Sequence, residues 1–250
     1  MKELMDKVAI ITGAAGGLGR AFAVAFAKAG ASVVCADINL DGVQESAELI
    51  RLAAGKAIAV KTDVTNGKSV KALVDQVMDQ FGQIDILVNN AAIYAGIERK
   101  PFWEIEDEVW DRLMAVNVKG IWQMSKAAAP RMFEHGGKII NIGSATFYSG
   151  SPGWLHYVAS KGAAVGMTRS MARELGDYNI TVNAIAPGFT LTDASLNMMD
   201  DAANYGVNRG ALKRASQTDD MVGTAIYLAS AASDFVTGQT IVVDGGRQFN

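Results

Sequence analysis

The chain has 250 residues, half of them apolar and 20% charged, and its 23 basic against 26 acidic side chains leave a net charge of −3. That composition describes a globular domain of ordinary α/β size and excludes a disordered chain. One cysteine, Cys35, and two histidines, His135 and His156, exclude an internal disulfide and a cysteine or histidine metal cluster, so no metal is expected. No apolar run approaches the ~18–20 residues of a membrane span, and the N-terminus has no signal-peptide core. Without a basic block, nucleic acid is not an expected partner, and the cytoplasm is the expected location. Glycine is the outlier: 26 glycines stand against 4 prolines, with neither a collagen period nor a linker composition. They must occupy particular backbone positions in a packed fold.

Short apolar runs alternate with amphipathic stretches along the whole chain. Residues 8–12 (VAIIT) predict a strand and 20–29 a helix, 32–36 (SVVCA) a strand and 42–53 a helix, 57–60 (AIAV) a strand and 69–81 a helix. There follow a strand at 84–88 (IDILV), a long helix at 110–133, a strand at 138–142 (KIINI) and a helix at 157–175. A strand at 181–186 (TVNAIA), a helix at 219–230 and a last strand at 240–243 (TIVV) complete the series. Nearly continuous apolar strands belong to a parallel sheet covered on both faces. Seven of them with intervening helices predict a doubly wound three-layer α/β domain over residues 1–250. Ligands of such sheets bind beyond the carboxyl ends of the strands, where this chain clusters its polar and glycine residues.

The first strand runs into Thr12-Gly13-Ala14-Ala15-Gly16-Gly17-Leu18-Gly19. A strand, glycine loop and helix in that order bring backbone N–H groups and a positive helix end against a pyrophosphate. Gly13, Gly16, Gly17, Leu18 and Gly19 are therefore candidate cofactor contacts, although the spacing differs from the standard dinucleotide fingerprint. Asp37, followed by Ile38, closes the second strand about 20 residues later. A carboxylate there accepts hydrogen bonds from ribose hydroxyls and repels a 2′-phosphate, which favours NAD(H) over NADP(H); the plainer reading is a turn cap. Asp63-Val64 after the third strand and Asn89-Asn90-Ala91-Ala92 after the fourth are suggestive, since Asp and Asn are common turn residues.

After the fifth strand stands Ser144, and 13 residues later comes Tyr157-Val158-Ala159-Ser160-Lys161. Tyr157 and Lys161 share a helix face at i and i+4. An ammonium beside a phenol favours the phenolate and makes the tyrosine a usable general base near neutral pH. Ser144 would hold the substrate oxygen.

With these motifs in this order, the chain resembles the short-chain dehydrogenase/reductase family over essentially its whole length. The resemblance is carried by TGAAGGLG, Asp63-Val64, NNAA, Asn117 in AVNVKG, Ser144, Tyr157 with Lys161, and Pro187-Gly188-Phe189-Thr190-Leu191-Thr192. It implies a Rossmann-type domain, Tyr157 as acid/base, and Lys161 on the nicotinamide ribose. It further implies Asn117 holding a water of a proton relay, and Thr190 and Thr192 with the Pro187-Gly188 turn near the carboxamide. Asn90, Ala91 and Ala92 would face the adenosine side; Ala92 departs from the family's usual glycine. A homotetramer is also implied.

Tyr94, Thr146, Trp154 and Phe189, with Ser144, are the candidate substrate contacts, and together with Phe147, Tyr148 and Leu155 they suggest an apolar, cyclic or aromatic secondary alcohol. Arg99, Lys100 and Arg209 read as solvated residues further out, and His156 as pointing elsewhere on its helix. Residues 191–210, with Asp200 and Asp201, read as a mobile helical lid. The competing readings are a 3-oxoacyl reductase and a non-catalytic NAD(H)-sensing scaffold.

Overall fold

The computed structural model describes residues 2–197 and 201–249. In chain order its elements are β1 (Val8–Thr12), α1 (Gly17–Lys28), β2 (Ser32–Asp37), α2 (Leu40–Leu52), β3 (Lys56–Lys61), α3 (Gly67–Phe81) and β4 (Ile86–Asn89). They continue with α4 (Asp107–Met114), α5 (Gly120–Ala128), β5 (Gly137–Ile142), α6 (Thr146–Ser149), α7 (Leu155–Leu175) and β6 (Ile180–Pro187). The last are β7 (Thr190–Leu191), α8 (Asp193–Leu196), β8 (Ser216–Gln217), α9 (Asp219–Ala229) and β9 (Thr240–Val243).

Seven strands form one parallel sheet in the order β3-β2-β1-β4-β5-β6-β9, so the winding reverses between β1 and β4. Strand pleating sends alternate side chains to opposite faces. In β1, Ala9 and Ile11 join a core with Phe22 and Phe26 of α1, Val43 of α2 and Leu228 of α9. Val8 and Ile10 face the other way, onto Leu73 and Val77 of α3 and Met124 of α5. Phe22 and Phe26 are fully buried, each contributing about 1.5–3 kcal/mol by leaving water. Cys35 lies fully buried in β2, and burial pushes its thiol up to about 12.

Three local features differ from the pattern read in the sequence. Helix α1 begins at Gly17, inside the glycine loop, three residues before the predicted start. The long helix predicted at 110–133 is divided: α4 and α5 flank a π turn at Ala115–Lys119, and a 3-10 turn with Pro130 ends the segment. Its physical cause lies in Asn117, whose buried side chain is tied outside the helix. The predicted lid is only partly helical. Its described parts are the one-turn α8, capped by Thr192, and 3-10 turns at Ala202–Asn204 and Val207–Arg209. A two-residue parallel ladder pairs Thr190–Leu191 of β7 with Ser216–Gln217 of β8, six residues and more past the predicted end of that segment. Asp200, read as part of that lid, lies outside the described residues with Met198 and Met199. Among the described residues no helix is long and apolar enough to cross a membrane, and no three His, Cys, Asp or Glu gather as a metal site.

Candidate active site

The carboxyl ends of β1 and β4 are stitched together. The Thr12 hydroxyl accepts the N–H groups of Asn90 and Ala91, both at 3.0 Å. The Asn90 amide donates to the carbonyls of Thr12 (3.0 Å) and Gly13 (3.1 Å). Gly13 sits at φ +67°, and a Cβ there would meet Asn90 Nδ2 at 2.7 Å. At Gly19 a Cβ would reach the Gly13 carbonyl at 2.0 Å, so the first turn of α1 can pack on the loop only without a side chain. Gly16, by contrast, faces open space, and no side chain caps α1. An uncapped helix N-terminus beside an open glycine is a cradle for an anion such as a pyrophosphate. The residues present thus fit a dinucleotide.

Asp37 lies across the loop. One of its oxygens accepts Ala15 N–H at 3.3 Å and the other Asn39 N–H at 2.9 Å, so it joins the glycine loop to the turn after β2. Ile38 beside it is 63% exposed, an apolar surface at the sheet's edge. Asp63 Oδ1 accepts the N–H (2.8 Å) and hydroxyl (2.7 Å) of Thr65, and Val64 packs where a Cβ on Gly120 would lie.

Further along the same sheet edge, Ser144 follows β5 and its Oγ accepts hydrogen bonds from the Thr146 hydroxyl (2.8 Å) and N–H (3.2 Å). With its acceptor side engaged, the Ser144 O–H is left to donate. Tyr157 and Lys161, both buried, present one face of α7 to this point. The Lys161 ammonium lies 5.6 Å from the Tyr157 ring centroid and donates to the Ile142 carbonyl at 2.9 Å. Asn117 accepts Ile93 N–H at 2.7 Å, donates to Ile93 O at 3.2 Å, and donates to Ser160 Oγ at 3.1 Å. It therefore joins the π turn to the helix that carries Tyr157 and Lys161.

The charge balance differs from the sequence expectation. Lysine was expected to lower the phenol, yet burial pushes Tyr157 upward, Tyr94 adds to the rise, and only the Ser144 hydroxyl opposes it. Burial likewise pushes Lys161 down, to about 8. In the protein matrix alone, desolvation outweighs the lysine's attraction for the phenolate. A cationic oxidised nicotinamide would add the favourable charge that this balance lacks.

A cavity of about 350 Å³ opens over these groups. It is lined by all five candidate substrate residues, Tyr94, Ser144, Thr146, Trp154 and Phe189, and it also reaches Leu18, Asn90, Ala92, Pro187, Gly188, Thr190 and Thr192. Tyr94 and Trp154 flank Tyr157 with ring centroids at 5.7 and 5.6 Å. Thr192 reaches over the glycine loop, 3.4 Å from where a Cβ on Gly17 would stand. Phe147, Tyr148 and Leu155 are off the cavity wall, and His156 is buried, with Nδ1 unpartnered and its pKa lowered by burial.

One expectation is corrected. Arg99 and Arg209 are exposed, as expected, but both line this cavity, together with Arg247. Only Lys100 stays outside, paired with Glu98 and Glu106. A wall carrying three arginines does not suit an apolar, cyclic alcohol. Sequence reading also missed Tyr205, Asp244 and Gln248 on the wall. The rule of looking just beyond each strand would have found Asp244 and Arg247, had it been applied to β9.

Comparison with known proteins agrees with this geometry. A family model described as enoyl-(acyl carrier protein) reductase matches residues 13–248. The chain is 38% identical to a 3-oxoacyl-(acyl-carrier-protein) reductase of Thermotoga maritima, covering 98% of both chains. It is also 38% identical to the 2-dehydro-3-deoxy-D-gluconate 5-dehydrogenase of Dickeya dadantii, over 98% of this chain and 96% of that one. A crystal structure described as a candidate gluconate dehydrogenase of Agrobacterium tumefaciens superposes with a TM-score of 0.93 at 36% identity, over 98% of this chain and 97% of that one.

Proposed function

We propose that this chain, which belongs to the short-chain dehydrogenase/reductase family, is an NAD(H)-dependent oxidoreductase that interconverts a secondary alcohol and a ketone, with Tyr157 as its acid/base. The observation that carries this reading is the convergence of Ser144, Tyr157 and Lys161 on one cavity that also reaches the glycine loop at Leu18. As proposed, residues 1–250 make a single dinucleotide-binding domain, and 191–210 covers the substrate.

In this mechanism the Ser144 O–H and the Tyr157 phenol hold the reacting oxygen between them. During oxidation Tyr157 takes the hydroxyl proton; during reduction it returns one. A bound nicotinamide would supply the hydride acceptor for oxidation and the hydride donor for reduction. Lys161 would hold the nicotinamide ribose and offset the phenolate charge, while Asn117 fixes the helix face that carries both. Tyr94 and Trp154 keep water from the phenol. Much of the acceleration comes from holding the reacting carbon at near-contact distance, which these fixed side chains do without rearrangement.

The NAD(H) preference is supported by Asp37 at the end of β2, since a carboxylate there would accept ribose hydroxyls and repel a 2′-phosphate. Arg20, the first basic residue after the loop, is engaged by Ala15 O (2.6 Å), Ser46 Oγ (2.9 Å) and Glu45, so it offers no ready counter-charge. Gly13, Gly16, Gly17, Gly19, Ile38, Asp63, Val64, Ala91, Pro187, Gly188, Thr190 and Thr192 complete the proposed cofactor contacts. We also propose a homotetramer, supported by the exposed Trp122, Phe147 and Leu155 on α5, α6 and α7 and checked by light scattering after size exclusion.

The test is absorbance at 340 nm with NAD⁺ or NADP⁺ and secondary alcohols, and with NADH and 3-oxoacyl thioesters. Turnover with alcohols and NAD⁺ supports the reading. Turnover confined to thioesters selects the 3-oxoacyl reductase, and NADH binding with no turnover of any compound selects the sensor.

A further inference from the structure

Three arginines line the cavity from three separate segments. Arg99 follows β4, Arg209 lies in the 3-10 turn before β8, and Arg247 follows β9. None has a carboxylate partner among the described residues. Two of them are held in place by Tyr205. Arg99 Nη2 donates to its hydroxyl at 3.2 Å, and Arg247 Nη2 donates to its backbone carbonyl at 2.7 Å. Arg247 also lies flat against Gly206, where a Cβ would come within 2.9 Å of the guanidinium. Arg99 is stacked on Trp154, its central carbon 4.5 Å from the ring centroid, and that same ring meets Tyr157 at 5.6 Å. The acidic residue in the wall, Asp244, forms no ion pair with these arginines. Its oxygens accept the backbone N–H groups of Gly246 (2.9 Å), Arg247 (3.0 Å) and Gln248 (2.8 Å).

From this juxtaposition we propose that the substrate is a small polyhydroxy carboxylate, a sugar acid or its keto form. Its carboxylate is held by the Arg99, Arg209 and Arg247 rim while a secondary carbinol lies between Ser144 and Tyr157. The proposal rests on the reading of Tyr157 as the acid/base. The planar guanidinium fork matches a carboxylate in two parallel hydrogen bonds, and an anion is what three unpaired cations lack. One aromatic ring separates Arg99 from the phenol, so the anion and the reacting carbon belong to one short chain. Wall hydroxyls from Thr146, Ser149 and Ser151 suit the remaining hydroxyls of such a chain. In oxidation the carbinol C–H pair leaves as hydride to NAD⁺ and the O–H proton goes to Tyr157. The products are the keto acid, NADH and one proton.

A phosphate on a coenzyme A arm, or the dinucleotide's own phosphates, would satisfy the same cations, and the experiment separates these sources. The full chain is assayed with D-gluconate against D-glucitol, which replaces the carboxylate by a hydroxymethyl group, and with shorter aldonate and alditol pairs. 3-Oxobutyryl-coenzyme A and its phosphate-free N-acetylcysteamine analogue form a second arm. At least one aldonate is expected to exceed its alditol at least tenfold in kcat/KM. Arg209→Gln is expected to raise KM for that aldonate roughly 10- to 100-fold, far more than it lowers kcat, so that the aldonate preference collapses. Arg209→Lys should recover part of it. The NADH dissociation constant, followed by fluorescence, should stay within twofold of wild type in Arg209→Gln. Equal use of both members of every pair, preference for the coenzyme A thioester over the aldonates, or loss of NADH affinity in step with aldonate affinity overturns the clamp. If nothing is turned over, the oxidoreductase reading fails separately. Titration of gluconate into the enzyme–NADH complex by calorimetry then decides the clamp: binding lost in Arg209→Gln upholds it, and no binding to wild type overturns it.

Discussion

Replacing Lys161 with methionine is expected to stabilise the fold while ending turnover. Burial lowers the ammonium from 10.5 to about 8. At about 1.4 kcal/mol per pH unit, holding that charge inside costs the folded chain about 3 kcal/mol near neutral pH. Methionine keeps the unbranched apolar stem and removes the charge. It also removes the 2.9 Å hydrogen bond to the Ile142 carbonyl, and an unpaired buried acceptor costs about 1–2 kcal/mol. The net gain is about 1–2 kcal/mol, which for a chain of this size raises Tm by roughly 2–8 °C. The pH dependence fixes the cause. In the unfolded chain lysine keeps its proton to about pH 10.4, whereas in the folded chain it releases it from about pH 8. Between these values the unfolded state binds more protons, so wild-type stability gains with rising pH from this group. The variant's advantage should be full below pH 8 and shrink toward pH 10. Urea denaturation of the cofactor-free protein at pH 7, 8, 9 and 10 measures this. A variant less stable than wild type at pH 7, or an advantage that does not change with pH, would refute the burial argument.

Two further substitutions test the cofactor half. Asp37→Ser removes the carboxylate proposed to repel a 2′-phosphate, and like-charge juxtaposition is worth several kcal/mol, so the kcat/KM ratio of NAD⁺ to NADP⁺ should fall roughly 100-fold or more in steady-state assays. An unchanged ratio would show that Asp37 is only the turn brace seen in its bonds to Ala15 and Asn39. Gly19→Ala places a methyl 2.0 Å from the Gly13 carbonyl, so loop and helix must separate; NADH binding should be lost, and binding at wild-type affinity would contradict the packing.

The sheet was legible because its strands are buried on both faces and therefore read as unbroken apolar runs. The predicted strand ends fall within two residues of those observed, and 8–12 and 240–243 coincide with β1 and β9. Helix starts were less legible: α1 begins on glycines, which carry neither apolar period nor capping side chain. The π turn was invisible because Asn117 is held by Ile93 and Ser160, 24 and 43 residues away. Two-residue strands such as β7 and β8 are too short to show alternation. In the site, Ser144, Tyr157 and Lys161 were named from a strand end, an i, i+4 spacing and the family resemblance together, and the fold brings all three to one cavity. The arginine rim was not legible, since residues 99, 209 and 247 come from three segments far apart in the chain that line one cavity only in the fold. Exposed arginines in loops look solvated until the fold shows what they surround.

Hydride transfer followed at 340 nm by stopped flow, in wild type and Tyr157→Phe, is the most direct test of an oxidoreductase that works through this phenol. Wild type with NAD⁺ and its best substrate among the aldonates and secondary alcohols should form NADH. Tyr157→Phe should slow that step roughly 10²- to 10⁴-fold, the range of general acid–base catalysis, while NADH fluorescence reports unchanged binding. NADH formation at the wild-type rate in Tyr157→Phe would contradict the assignment.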